Sequence, residues 1–492
     1  MNYAEQSSEV KDRICFAALL AVVIQVLWLL PANSSFWRDE AGTFWDVNHG
    51  LAPVLAARWL GQSPLYYLTA WTAYMVGGSS EFVLRLPSML AMAGAAVVLY
   101  RVAIRMFDSS VALLAVLVFL CQQHVAFAAN DARPYALGLL AVNTSMLLLL
   151  RWLETGGFRA AAALALGAAF VIYAHYFFGP VLLVEAVYAL FRIHKGSPAR
   201  LAELAAAIVI AGILVLPLAP HVLSLFHNRS NVTVPQTPSF FDFMDHVAPA
   251  VMLASIMAGL LIAYLTRFWR AGVWNFRPDH FWLVFGWAFF VPTLYFAFAI
   301  STPLKLFLPR YVLSGAPGAA LLIAGGLSAL VAGPARRIAA TSLAAGALLA
   351  FGTWRLHGGE DWRAAADAVR TVTSGKDMPV LIVSSVSEGN DPKTLNDPNL
   401  KNLFAPQQAY PLDAKVIRLP ILATGKAPQM QVDFLEQIAE TQLKDQKRFV
   451  LLSPAESSLY GIWLTGRFSD RLARVEDLGD FGSVTAVLFQ LQ

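Results

Sequence analysis

Apolar residues fall into runs about one bilayer long, separated by short stretches rich in Arg and Lys, from near the N-terminus to about Arg355. At ~20 apolar residues per span, the runs predict helices at 14–31, 83–104, 110–128, 134–150, 160–178, 180–193, 200–220, 247–266, 280–300, 311–332 and 338–354, about eleven in all. The run 64–76 is too short to span; it begins at Pro64 and stops before Gly77 and Gly78. It is predicted as a helix lying in the membrane plane. Left out of the count, it leaves Arg101/Arg105, Arg151/Arg159, Arg192/Lys195/Arg200, Arg267/Arg270/Arg277 and Arg336/Arg337 on the side of the N-terminus. The positive-inside rule makes that side cytoplasmic. The first outer loop then runs from Ala32 to about Phe82, and the chain beyond Arg355 is extracytoplasmic.

Beyond Arg355 the pattern changes. Residues 361–370 have the spacing of an amphipathic helix, 380–383 read as a buried strand, 434–446 as a helix, and 449–452 and 484–488 as strands. Such alternation predicts a small α/β domain, with the Asn-, Asp-, Pro- and Gly-rich stretch 387–411 as loop. The expected fold class is therefore an all-α polytopic membrane module over 1–355, with in-plane helices in its first outer loop, followed by an extracytoplasmic α/β domain over 356–492. The α/β region shows no Gly-rich phosphate loop or catalytic triad and is read as accessory.

Composition agrees with the pattern. Of 492 residues, 57% are hydrophobic and only 14% charged, against about 25% charged in ordinary soluble domains. The net charge of +4 arises from the short basic clusters between apolar runs, so sidedness accounts for it and nucleic acid is excluded as a partner. The two cysteines, Cys15 and Cys121, lie inside apolar runs; they read as small hydrophobes, with no disulfide framework or metal-ligand spacing. Lys11 and Arg13 precede an apolar core longer than the ~7–15 residues of a signal peptide, which predicts an uncleaved first helix. The long polar loop 221–246, with Pro235 and Pro238, reads either as a lid or as a connector.

Under that topology the unusual polar groups gather on the outer side. They are Asp39 and Glu40, Gln62 and Ser63, Arg85, the run Asn130, Asp131, Ala132, Arg133, then His175 and Tyr176, and Lys305 to Arg310 and Tyr311. Paired carboxylates beside hydrocarbon are costly unless they have partners or a task. A one-sided set of acidic and basic groups in an apolar frame reads as an active site at the outer interface. The plainer alternative for the first stretch is an interfacial loop anchored by Trp37 and Trp45. A transporter would carry internal repeats and midplane charges; no repeat is found, and Glu185 is the main mid-helix acid.

Taken together, Asp39-Glu40 after the first helix, Ser63-Pro64-Leu65-Tyr66-Tyr67, Glu81-Phe82-Val83-Leu84-Arg85-Leu86-Pro87, Ala132-Arg133-Pro134-Tyr135-Ala136, His175-Tyr176 and Pro309-Arg310-Tyr311 form a recognisable series. It resembles the bacterial GT-C glycosyltransferases related to protein O-mannosyltransferases and aminoarabinose transferase. The resemblance covers the membrane part, most strongly its first half. It implies a sugar donor linked to polyprenyl phosphate, an extracytoplasmic acceptor (glycan, lipid or protein hydroxyl) and an active site at the outer face of the bacterial inner membrane, among membrane lipids. The chain departs from the aminoarabinose transferases at Gln62-Ser63, where they carry a Glu-Lys pair, so a divalent metal is left open. A ligase using lipid-linked oligosaccharide is the nearest alternative, and a membrane transporter the alternative from another class.

The implied chemistry assigns roles. An acceptor hydroxyl attacking the anomeric carbon must lose its proton, which calls for a carboxylate base; Asp39 falls at the family's first acidic motif, with Glu40 to orient it or to act on it as a like charge. The leaving phosphate needs positive charge rather than an acid, and Arg133 and Arg310, with Arg85, are the candidates. Each arginine alone is equally read as snorkelling to the headgroups. Asp131 is a second acid or a helix cap. Gln62, Ser63, Tyr66, His175 and Tyr311 are the candidate substrate contacts, with an interfacial aromatic belt as the rival reading of the rings.

Overall fold

The computed structural model describes residues 3–56, 64–227, 237–274, 276–302, 305–352, 359–374, 377–395, 401–421, 429–455 and 459–492. The chain separates into two compact units. One holds residues 1–32, 51–76 and 85–354, and the other holds 33–50, 77–84 and 355–492.

In the first unit every predicted apolar run contains helix. Among the described residues seven helices are long and apolar enough to cross a membrane, or up to nine if two bent pairs each count as one span. The chain is thus an integral membrane protein. The run expected at 110–128 is Ser109–Leu120 followed by Gln123–Ala129, bent by 78°. Asp108 caps its start, accepting from Val111 N at 2.9 Å, and the break falls at Gln122, whose Nε2 donates to Ala316 O at 3.0 Å. The run expected at 247–266 is Phe240–Val247 plus Ala250–Leu265, bent by 56°, with Pro249 at the break where its missing N–H cannot continue a helical ladder. Phe158–Ala174 is shorter than the expected 160–178 because the backbone extends at His175 (φ −161°). The in-plane candidate is a helix, Pro64–Gly77, turned so that Tyr66, Tyr67 and Ala70 are buried.

Small residues let these helices approach closely. A Cβ on Gly318 would fall 2.6 Å from Ala288 N, so helix Ala316–Leu330 lies directly on the backbone of Pro278–Ser301. The buried Trp287 on that helix donates its indole N–H to Ser314 O at 2.8 Å, satisfying the one polar atom of an otherwise apolar side chain. Without a hydrophobic force between helices in lipid, this close packing and interhelical hydrogen bonding hold the bundle.

The second unit is built on a sheet of β1 (Val380–Val383), β2 (Val416–Leu419), β3 (Arg448–Pro454), β4 (Leu472–Asp477) and β5 (Val484–Leu491), in the order β2-β1-β3-β5-β4. β1 runs parallel to β2 and β3, while β5 is antiparallel to β3 and β4. Val380 stands opposite both Val416 and Val450, and Val450 opposite Leu488. Helices Gln429–Thr441 and Leu459–Arg467 cover Leu381, Leu451 and Phe489 on one face; helix Trp362–Thr373 covers Val380, Val450 and Leu488 on the other. Burial on both faces explains why β1 is an unbroken apolar run. Residues 33–50 and 77–84, from the first predicted outer loop, are part of this unit, and helix Arg38–Asn48 packs on the short helix Ala405–Ala409.

Candidate functional site

The two carboxylates open helix Arg38–Asn48 in the second unit. Trp37 is extended (φ −84°, ψ 170°), and Arg38, Asp39 and Glu40 are the first three helical residues. The exposed N–H groups of a first turn favour carboxylates. Glu40 is fully buried and its Oε2 accepts from Trp37 N at 3.4 Å, as in a capping box. Asp39 is only half-buried. The adjacent acids therefore differ: Glu40 is buried and closes the helix end, while Asp39 is half-buried.

A polar network that the sequence does not announce fixes the entry to this helix. Arg38 donates from N to Glu360 Oε2 at 2.9 Å and from Nε to Glu360 Oε1 at 2.7 Å. Glu360 is buried and also accepts from Trp362 Nε1 at 2.7 Å. Phe36 N donates to the Tyr410 hydroxyl, which donates to Glu81 Oε1, both at 2.8 Å. Burial raises the Tyr410 pKa, so its proton stays available for that bond. Arg363 spans Glu81 Oε1 (2.9 Å) and Asn33 O (2.7 Å). Glu81 lies in the motif Glu81-Phe82-Val83-Leu84-Arg85-Leu86-Pro87; Glu360, Arg363 and Tyr410 give no local signal, since the partners that tie them to this helix entry are hundreds of residues away.

In the first unit Arg85 and Arg133 are buried rather than snorkelling, while Arg310 is half-buried. Arg133, 2% exposed, donates from Nη1 to the Tyr67 hydroxyl at 3.0 Å. Its carbonyl accepts from Ser88 Oγ (3.2 Å), which also pairs with the Tyr66 hydroxyl (2.9 Å). Helices Pro64–Gly77 and Glu81–Ala103 and the turn before Tyr135–Thr155 therefore converge here. Arg85 is fully buried and its Nη1 donates to Ala32 O at 2.9 Å, at the end of the first span. Asp131 is fully buried and its carbonyl accepts from Arg133 N at 2.7 Å. The N-cap of Tyr135–Thr155 is Pro134 rather than Asp131.

His175 gathers the remaining candidates. Its ring stacks on Phe178 with centroids 4.6 Å apart and lies 5.3 Å from Tyr135 and 6.2 Å from Tyr311. Both of its ring nitrogens are buried without a hydrogen-bond partner among the described residues. Tyr311 stacks on Phe177 at 4.1 Å, and the Arg310 guanidinium stands 5.6 Å over the Tyr311 ring. Gly138 makes room for this: a Cβ there would meet Phe178 Cε2 at 2.6 Å. Lys305, by contrast, donates to Ala299 O at 2.6 Å, at a helix C-terminus. Gln62 and Ser63 lie outside the described residues. Among the described residues no group of three or more His, Cys, Asp or Glu is placed to hold a metal ion.

Comparison with known proteins bears on the fold. Residues 61–222 match the sequence model of the family described as dolichyl-phosphate-mannose-protein mannosyltransferase. No curated protein sequence matches the chain. Two solved structures of ArnT from Cupriavidus metallidurans superpose with a TM-score of 0.55 each, one bound to undecaprenyl phosphate and 14% identical, the other in the apo state and 15% identical. Each superposition covers 96% of this chain and 97% of the other. The sequence likeness thus covers residues 61–222, and nearly the whole chain has the GT-C fold of ArnT.

Proposed function

We propose that the protein is a membrane glycosyltransferase that moves a sugar from a polyprenyl-phosphate-linked donor to an extracytoplasmic acceptor hydroxyl. The observation that carries this reading is the buried Arg133 braced by the Tyr67 hydroxyl, with the Arg310 guanidinium over the Tyr311 ring beside buried His175, in a fold solved elsewhere with undecaprenyl phosphate bound. Guanidinium groups in a dry, aromatic-lined site are suited to a leaving phosphate, because they match its geometry with paired hydrogen bonds and gain strength where water is excluded.

In this reading Asp39 takes the acceptor proton as the hydroxyl attacks the anomeric carbon, the bond to the donor phosphate breaks, and the freed phosphate keeps the electron pair under the positive charge of the arginines. Departure as phosphate needs no carboxylic acid, unlike glycoside hydrolysis. Asp131 serves to place Arg133, and Tyr66, His175 and Tyr311 line the sugar or prenyl path. The test is incubation of the purified full-length protein with polyprenyl-phosphate sugars and cell-envelope acceptors, following released polyprenyl phosphate. Sugar transfer with one lipid phosphate released per turn is expected. Transfer only from a polyprenyl-pyrophosphate-linked oligosaccharide, with lipid pyrophosphate released, would instead indicate a ligase, and substrate translocation without bond cleavage a transporter.

A further inference from the structure

The helix that carries Asp39 is held by residues from the opposite end of the sequence. The backbone N–H and Nε of Arg38, immediately before Asp39, both end on the carboxylate of Glu360. That carboxylate is 3% exposed, and Trp362 Nε1 fixes it from the other side. Two residues earlier the Phe36 N–H is held by Tyr410. A buried carboxylate with three donors is a rigid point of attachment, because leaving any of those donors buried and unpaired costs more than the bond itself contributes. Fixing the peptide before Asp39 fixes the direction of its side chain.

We propose that Glu360 is a positioning residue for the transfer reaction: through Arg38 it sets where the Asp39 carboxylate stands, so the C-terminal α/β region belongs to the catalytic machinery. This inference rests on the reading of Asp39 as the base. A one-ångström misplacement of a catalytic group is enough to cost about a hundredfold in rate, so the effect falls on turnover rather than on donor binding.

The experiment uses the full-length protein with Glu360→Ala, Glu360→Gln, Arg38→Ala and Asp39→Asn, read by hydrogen exchange of amides 36–42 and by kcat and KM for a polyprenyl-phosphate sugar. Glu360→Ala is expected to speed exchange at 36–40 and to lower kcat about ten- to a hundredfold, with KM for the donor unchanged. Arg38→Ala keeps the backbone bond to Glu360 and should lose less. Glu360→Gln keeps the shape but pairs only in part, so it should fall between; it also serves if the Ala variant does not fold. Parental exchange and kcat in folded Glu360→Gln and Arg38→Ala, while Asp39→Asn is inactive, would overturn the positioning role alone. Full transfer by Asp39→Asn would remove the base, and with it the assignment of Glu360.

Discussion

Arg133 and Tyr67 meet through a 3.0 Å hydrogen bond from guanidinium Nη1 to phenol oxygen, both side chains being buried. A snorkelling arginine would sit at a helix end with its head in water; this one is drawn inward and braced. Arg133→Lys should keep the charge but lose the planar fork, lowering transfer efficiency, and Arg133→Ala should lose about one to two decades. Tyr67→Phe should give a smaller loss, since one brace goes while the charge remains. Transfer rate against donor concentration, normalised to folded protein, checks the series. Parental kinetics in all three variants would take Arg133 out of the site.

The two carboxylates should separate on mutation. Asp39→Asn is expected to cost about 10²–10⁴-fold in transfer while expression and insertion stay normal, the usual loss for a general base. Glu40→Gln retains an acceptor for the Trp37 N–H, and Gln serves in capping boxes, so activity should largely survive. Glu40→Ala should instead lower stability by ~0.5–2 kcal/mol, as for loss of a helix cap. Thermal melts beside initial rates distinguish the two patterns. A Glu40→Gln enzyme as inactive as Asp39→Asn would mean that Glu40 shares the chemistry.

Gly138 offers a test of His175 that leaves its chemistry intact. The added methyl of Gly138→Ala would press on Phe178, whose ring stacks on the His175 imidazole. Overpacking of this kind typically costs about 1–3 kcal/mol, and here it should also displace the ring. Transfer should fall, and Phe178→Leu in the same chain should recover part of it by making room. If His175 has no part in binding, Gly138→Ala should lower stability with turnover per folded molecule unchanged.

Much of this was legible in the chain, and the reasons are local. Bilayer-length runs and basic clusters mark the helical spans, and every predicted run contains helix, because in lipid the polar backbone groups of an apolar segment must bond one another. Strands β1, β3 and β5 were readable because they are apolar and central. β4, an edge strand reading Leu-Ala-Arg-Val-Glu-Asp, hides in its charges, as edge strands do. Helix breaks at Gln122 and Pro249 were missed because hydropathy averages over them. Of the candidate site, residue types and order were visible, but Glu360 and Arg38 are 322 positions apart, and no local pattern records that contact.

Sidedness rests on the distribution of Arg and Lys, and it decides which compartment supplies the acceptor. The basic loops fall on the side of the N-terminus only if helix Pro64–Gly77 does not cross; were it a span, they would all switch to the other side. At 14 residues it reaches about 21 Å as an α-helix, short of the ~30 Å hydrocarbon core. Single cysteines at Ser80, Gly196 and Ser469, all exposed, in a chain with Cys15 and Cys121 replaced by Ala, can be probed with an impermeant maleimide on intact cells. Ser80 and Ser469 should label from outside, and Gly196 only after the membrane is opened. A reversed pattern would invert the whole orientation. Labelling of Ser80 from inside together with Ser469 from outside would instead show that Pro64–Gly77 crosses and that another segment does not. Labelling of Gly196 from outside would detach the basic loops from the cytoplasm, and the acceptor would have to be sought there.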